Sequence, residues 1–235
     1  MYRSVERKRD PPQIHCIPLG MQPRDVQGYI GRKTMYKDIF RVAFEGTLDD
    51  VRFFIEQGTD VNVRNDLGKT PLHVAAGGYS RADVVQYLIE KGADVNAQDI
   101  FGGTPLCQAF GSIDKMVFLI EKGANVNDRR DCMGWTPLHF AARHPNVDVV
   151  KCLINHGAEI HATDNKGWTP LHHAAGFNHN TKTVKYLIEV GANINAISDA
   201  GETPLDVIMI AKKKKRALFR EAGGKTGEEL SGVIP

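Results

Sequence analysis

The chain has 235 residues, 42% of them hydrophobic and 25% charged, with a formal net charge of +2. That balance is ordinary for a protein with a packed core, and the charge is too small to argue for a nucleic-acid partner. No run of about 18 apolar residues is present to cross a bilayer. The four cysteines, Cys16, Cys107, Cys132 and Cys152, show neither CxxC spacing nor a disulfide framework, which fits a reducing compartment.

In chain order, residues 1–34 are basic and Pro-containing, without periodicity and without the apolar stretch of a secretion signal, so they read as a poorly ordered arm. Ile14, Ile17, Leu19 and Met21 give part of this arm the means to lie against residues 35–64. Those residues carry helical spacing twice, first Ile39, Val42 and Ala43, then Val51, Phe54 and Ile55, ending at Gly58. Residues 65–98 form a fuller unit. Asn65-Asp66-Leu67-Gly68 is turn chemistry, Thr70 suits an N-cap and Pro71 the first helical position. Leu72, Ala75 and Ala76 make a short helix with a small-residue face. Val84, Val85, Leu88 and Ile89 make a second, closed by Gly92 as a left-handed C-terminal residue. Residues 99–130, 131–163 and 164–197 follow the same plan. The first of these departs from it with Cys107 and Phe110 and a shorter interhelix loop, Met116 supplying its core. Residues 198–224 predict a first helix through Leu205, Val207 and Ile208 and a charged second one with Ala217, Leu218 and Phe219. Residues 225–235 read as a tail.

Near-copies of Thr-Pro-Leu-His begin at Thr70, Thr104, Thr136, Thr169 and Thr203, at spacings of 34, 32, 33 and 34 residues. Gly123, Gly157 and Gly191 end later second helices. Asn96, Asn127 and Asn195 lie four residues past such glycines, with His161 in the remaining copy. A fixed period of this length signals a stacked solenoid. These marks resemble the ankyrin repeat over residues 35–224. The resemblance implies an all-α solenoid of about six stacked helix–turn–helix units with β-turn or hairpin tips, divided near 35–64, 65–98, 99–130, 131–163, 164–197 and 198–224. The outer two units read as caps. The ending of the chain resembles those of bacterial members of the family.

The family resemblance also implies binding of a protein partner through the turn tips and first helices. Aligned on the Thr-Pro-Leu marks, the candidate contact residues at the tips are Leu67, Lys69, Ile100, Phe101, Met133, Trp135, Lys166, Trp168 and Glu202. Arg143, His144 and Phe177 add the exits of first helices. Phe101, Trp135 and Trp168 are the expected anchors, since aromatic groups dominate interface energetics at about 2 kcal/mol or more each. Lys69, Arg143, Lys166 and Glu202 would form a polar rim. The two indoles stand one repeat apart on one face. The alternative is that each folds back over its own helix, as tryptophan before Thr-Pro-Leu does in this family.

Catalytic patterns are missing. Seven of the nine histidines fall between His139 and His179, yet no HExxH occurs, and the resemblance gives His139 and His172 to hydrogen bonds between repeats. Gly223-Gly224-Lys225-Thr226 lacks the leading glycine and strand of a phosphate loop. Asn96, Asn127 and Asn195 have the spacing of asparaginyl hydroxylation sites, and it is equally the fold's own. The run Lys212 to Arg216 reads as a solvated edge between helices, or else as a nuclear signal or anion contact. The expectation is a monomeric, non-catalytic protein-binding scaffold or adaptor without metal or cofactor, located in the cytoplasm. The alternatives are an effector or regulatory subunit delivered into a host cell, a nuclear location, and a metal-dependent enzyme or nucleic-acid binder.

Overall fold

The computed structural model describes residues 38–79, 81–129, 133–178, 181–209 and 212–232. The arm at 1–34, Cys132 and His179 lie outside the described residues. The helices are α1 (Ile39–Glu45), α2 (Leu48–Glu56), α3 (Pro71–Gly77), α4 (Ala82–Glu90), α5 (Pro105–Gln108), α6 (Ile113–Glu121), α7 (Pro137–Arg143), α8 (Val147–Asn155), α9 (Pro170–Phe177), α10 (Thr181–Glu189), α11 (Lys213–Glu221) and α12 (Gly227–Ser231). Among the described residues there is no strand, and no helix is long and apolar enough to cross a membrane.

The helices form two rows. First helices α1, α3, α5, α7 and α9 pack in succession, and second helices α2, α4, α6, α8 and α10 pack in succession behind them. Each element finds its apolar partners mainly in its own unit and the adjoining ones, as in a quasi-one-dimensional array. The core runs the length of the stack as Val42, Leu72, Leu106, Leu138 and Leu171 in the first row and Val51, Leu88, Leu119, Leu153 and Leu187 in the second, all but Leu171 fully buried and Leu171 nearly so. Alanine pairs such as Ala75/Ala76 and Ala141/Ala142 are buried as well, which lets the short first helices approach closely.

One device joins the units. Nδ1 of His73, His139 and His172 accepts from the N–H of Thr70, Thr136 and Thr169 at 3.0–3.1 Å. The same rings reach one unit on through Nε2, to the carbonyls of Gly103, Trp168 and Glu202 at 3.0–3.1 Å. Each histidine thus caps its own helix and ties it to the next tip. At a second joint, Asn62, Asn96, Asn127 and Asn195 each donate to a glycine carbonyl of the next unit.

The ends differ from expectation in two places. The stretch Pro204–Val207 is a set of turns and not a helix. It lacks the paired alanines of the other first helices, and Arg216 takes the carbonyls of Leu205 and Ile208. The basic run does not lie between helices either: Lys213 to Arg216 open α11, and Lys215 is only 4% exposed. Its ammonium donates to the carbonyls of Ala174, Ala175 and Asn178 at the end of α9, where a cation complements the helix dipole. Lys115 does the same for Ala75 and Gly78 after α3. Residues 225–232 fold back through α12, with the Lys225 carbonyl accepting from Thr203 and Gly227 donating to Asp206.

Candidate functional site

Among the described residues, four tips are closed by a short polar side chain at their first position. Asn65, Asp99 and Asp164 place Oδ1 between two backbone N–H groups two and four residues on, and Ser198 serves Glu202. In Asp164 the second oxygen remains available, and it accepts from Nε2 of His173 at 2.9 Å. Both side chains are buried, at 2% and 4% exposure. Burial works against ionisation of Asp164, but the hydrogen bonds from His173, Lys166 and Trp168 outweigh it and hold the carboxyl below its ordinary range. Burial also pulls the pKa of His173 down, and the bond to Asp164 offsets that only in part.

His173 is the hub of an aromatic cluster. Its ring meets Trp135 edge-on at 4.7 Å, Trp168 at 5.5 Å and His139 at 5.2 Å. Trp135 also leans on Phe140 at 4.9 Å, and Trp168 stacks on His172 at 5.8 Å with Phe177 at 6.1 Å. Arg143 lays its guanidinium 5.0 Å from the centre of Trp135 and 4.2 Å from that of Phe177. Trp135, Arg143, Trp168, His173 and Phe177, with Met133, Asp164, Asn165 and Lys166, line a groove of about 320 Å³ across the tips and first helices of two adjacent units.

Six of the residues singled out from the sequence therefore meet in one place: Met133, Trp135, Arg143, Lys166, Trp168 and Phe177. Both indoles are half-buried over histidine rings and also line the groove. The other six stand outside it. Ile100 and Phe101 are exposed, at 61% and 63%, and Leu67 at 46%. Lys69 reaches Gln108 at 3.3 Å. His144 packs edge-on against Phe110 and accepts from the Asn146 N–H, and Glu202 is held by its backbone to Ser198 and His172.

Asp164 and His173 escaped the sequence reading. The signal was the residue after the signature histidine, which is Val74, Gln108, Phe140, His173 and Val207 in successive units. A second imidazole there, with a carboxylate closing the preceding tip, marks the site. Among the described residues no three His, Cys, Asp or Glu side chains converge as a metal ion would need.

A family model described as ankyrin repeats matches in three copies, over residues 39–130, 127–198 and 159–211. The chain is 45% identical over 51 residues to 2-5A-dependent ribonuclease of Mus musculus, covering 22% of this chain and 7% of that protein. It is 52% identical over 46 residues to the RelA-associated inhibitor of Mus musculus, covering 20% and 6%. It is 35% identical over 118 residues to Serine/threonine-protein kinase 12 of Arabidopsis thaliana, covering 50% and 18%. In each case the chain spans less than a fifth of the relative's length.

Proposed function

We propose, from the premise that this chain belongs to the ankyrin-repeat family, that it is a non-catalytic scaffold or adaptor that holds a partner protein in the groove along its tips and first helices. Ankyrin repeats are protein–protein interaction modules, generally non-catalytic, and this gives the partner class. The observation that carries the reading is the convergence of Met133, Trp135, Arg143, Lys166, Trp168 and Phe177 on one groove from two adjacent units. Large apolar groups at turn tips cost solubility unless something covers them. Here Met133 is 52% and Phe177 46% exposed, and Ile100 and Phe101 extend the apolar surface at a neighbouring tip.

Anchoring by Trp135 and Trp168 is best tested without removing them, because Trp135 packs on His173, which holds Asp164, and Trp168 stacks on His172, which joins its unit to the next. The test is affinity purification from cells of origin with Met133→Glu and Phe101→Glu, single and combined, beside the native chain. Loss of the captured proteins with an unchanged thermal midpoint is the expected result. Undiminished capture by the double variant removes the groove from consideration.

A further inference from the structure

We infer that the groove accepts one aromatic side chain from a partner segment, and that the residues next to that anchor carry carboxylates. This rests on the reading of the groove as the interaction surface and adds the chemistry of what enters it.

Size sets the first limit. At about 320 Å³ the space lies at the lower end of the range for small-molecule sites, roughly 300–1,000 Å³. That is room for a single large side chain. The walls are Trp135, Trp168, Phe177 and the thioether of Met133, which favour a ring in edge-to-face or offset contact.

Charge sets the second. Arg143 already occupies the position over Trp135 and Phe177 that a cationic guest would need. Its guanidinium has no carboxylate or carbonyl partner among the described residues, and neither has the exposed ammonium of Lys166. The one acid in the lining, Asp164, is spent: His173 and two backbone N–H groups take both its oxygens. With one buried carboxylate against two cations that form no ion pair among the described residues, the aromatic-lined space keeps an excess of positive charge that repels a basic segment. The two cations offer an acidic one a planar, bidentate donor and a second point charge.

Continuity sets the third. Met133 lines the groove and is itself exposed, and exposed Phe101 and Ile100 mark another tip of the array. An extended chain uses such a series of tips, whereas a compact ligand leaves it bare.

The chain contains only two tryptophans, and both line the groove, so intrinsic indole fluorescence reports on this site alone. The probe is the peptide acetyl-Gly-Phe-Glu-Glu-Gly-amide, compared with versions carrying Ala for Phe or Lys for both Glu. The expected result is a saturable change with the first peptide and at least tenfold weaker binding of the other two. Arg143→Gln and Lys166→Gln should each weaken the first peptide several-fold, and 150 mM against 500 mM salt should weaken it further. Lys166→Gln guards against a trivial spectral change from Arg143, since Lys166, unlike Arg143, makes no cation–π contact with an indole among the described residues. Equal binding of the lysine peptide, equal binding of the alanine peptide, or no response to any of the three overturns the inference. Retained loss of capture by Met133→Glu and Phe101→Glu in that event would leave the groove as the interface with a different guest; intact capture would remove both.

Discussion

Nδ1 of His73, His139 and His172 accepts from a threonine N–H while Nε2–H donates to a carbonyl, which leaves these rings no favourable place for a second proton. Their pKa values are lowered accordingly, burial being the largest cause in each, and that of His139 falls to about 4 with His173 adding repulsion. His173 is lowered too, again chiefly by burial. The unfolded chain, with ordinary imidazoles near 6.5, binds more protons than the folded one below that pH. Stability contributed by these groups is thus complete above about pH 6.5 and lost as pH falls toward about 4, with His139 worth of order 3 kcal/mol over that window. Urea midpoints measured from pH 8 to pH 4 should stay level and then drop, and His139→Gln should flatten the acid limb. A second prediction separates members of the basic run. Lys215→Met leaves the carbonyls ending α9 without their donor and should cost about 2 kcal/mol. Lys213→Ala and Lys214→Ala, both exposed, should stay within about 0.5 kcal/mol by thermal melting.

At the scale of the element, the repeating unit depends on two turns that need left-handed backbone. Gly134 has φ of 72°, and a Cβ there would overlap Oδ1 of Asn165 at the next tip. Gly134→Ala should therefore cost more than about 1 kcal/mol. Gly111, whose Cβ would meet open space, should accept alanine without loss. The third unit departs furthest from the common plan. Its first helix is only Pro105–Gln108 followed by a 3-10 turn at Ala109–Gly111, and Cys107, 3.7 Å from the Thr104 hydroxyl, stands where the joining imidazole stands elsewhere. Cys107→His should raise stability by about 1 kcal/mol in urea unfolding.

For the molecule as a whole, neighbour-only packing means that stability is approximately a sum over units and the joints between them. Opening should start where the first helix is shortest. In hydrogen exchange, the amides of α5 and its 3-10 extension are expected to exchange ahead of those of α7 and α9, which share two histidine joints and the Asp164–His173 pair. Uniform protection across the three first helices would contradict this. The cap acts at the same scale: α11 buries Phe219 completely and brings Lys215 onto α9, so deleting residues 198–235 should expose the α9–α10 face and lower the thermal midpoint markedly.

The periodic features were readable in the amino-acid order because they are local. Thr-Pro at a helix start, glycine after a helix end and apolar residues at helical spacing each constrain the backbone within a few residues, and their recurrence near every 33 positions implies stacking. The roles of Asp164, His173 and Lys215 were not readable in that way. Each depends on which group a side chain meets in the folded stack, 9 residues away within one unit for His173 and 37 to 41 residues away across a joint for Lys215. Composition shows a charged run or an extra histidine. Whether such a group is solvated or buried is settled by the partners that stacking brings within hydrogen-bond reach, and that also decides which of the tip residues share a groove.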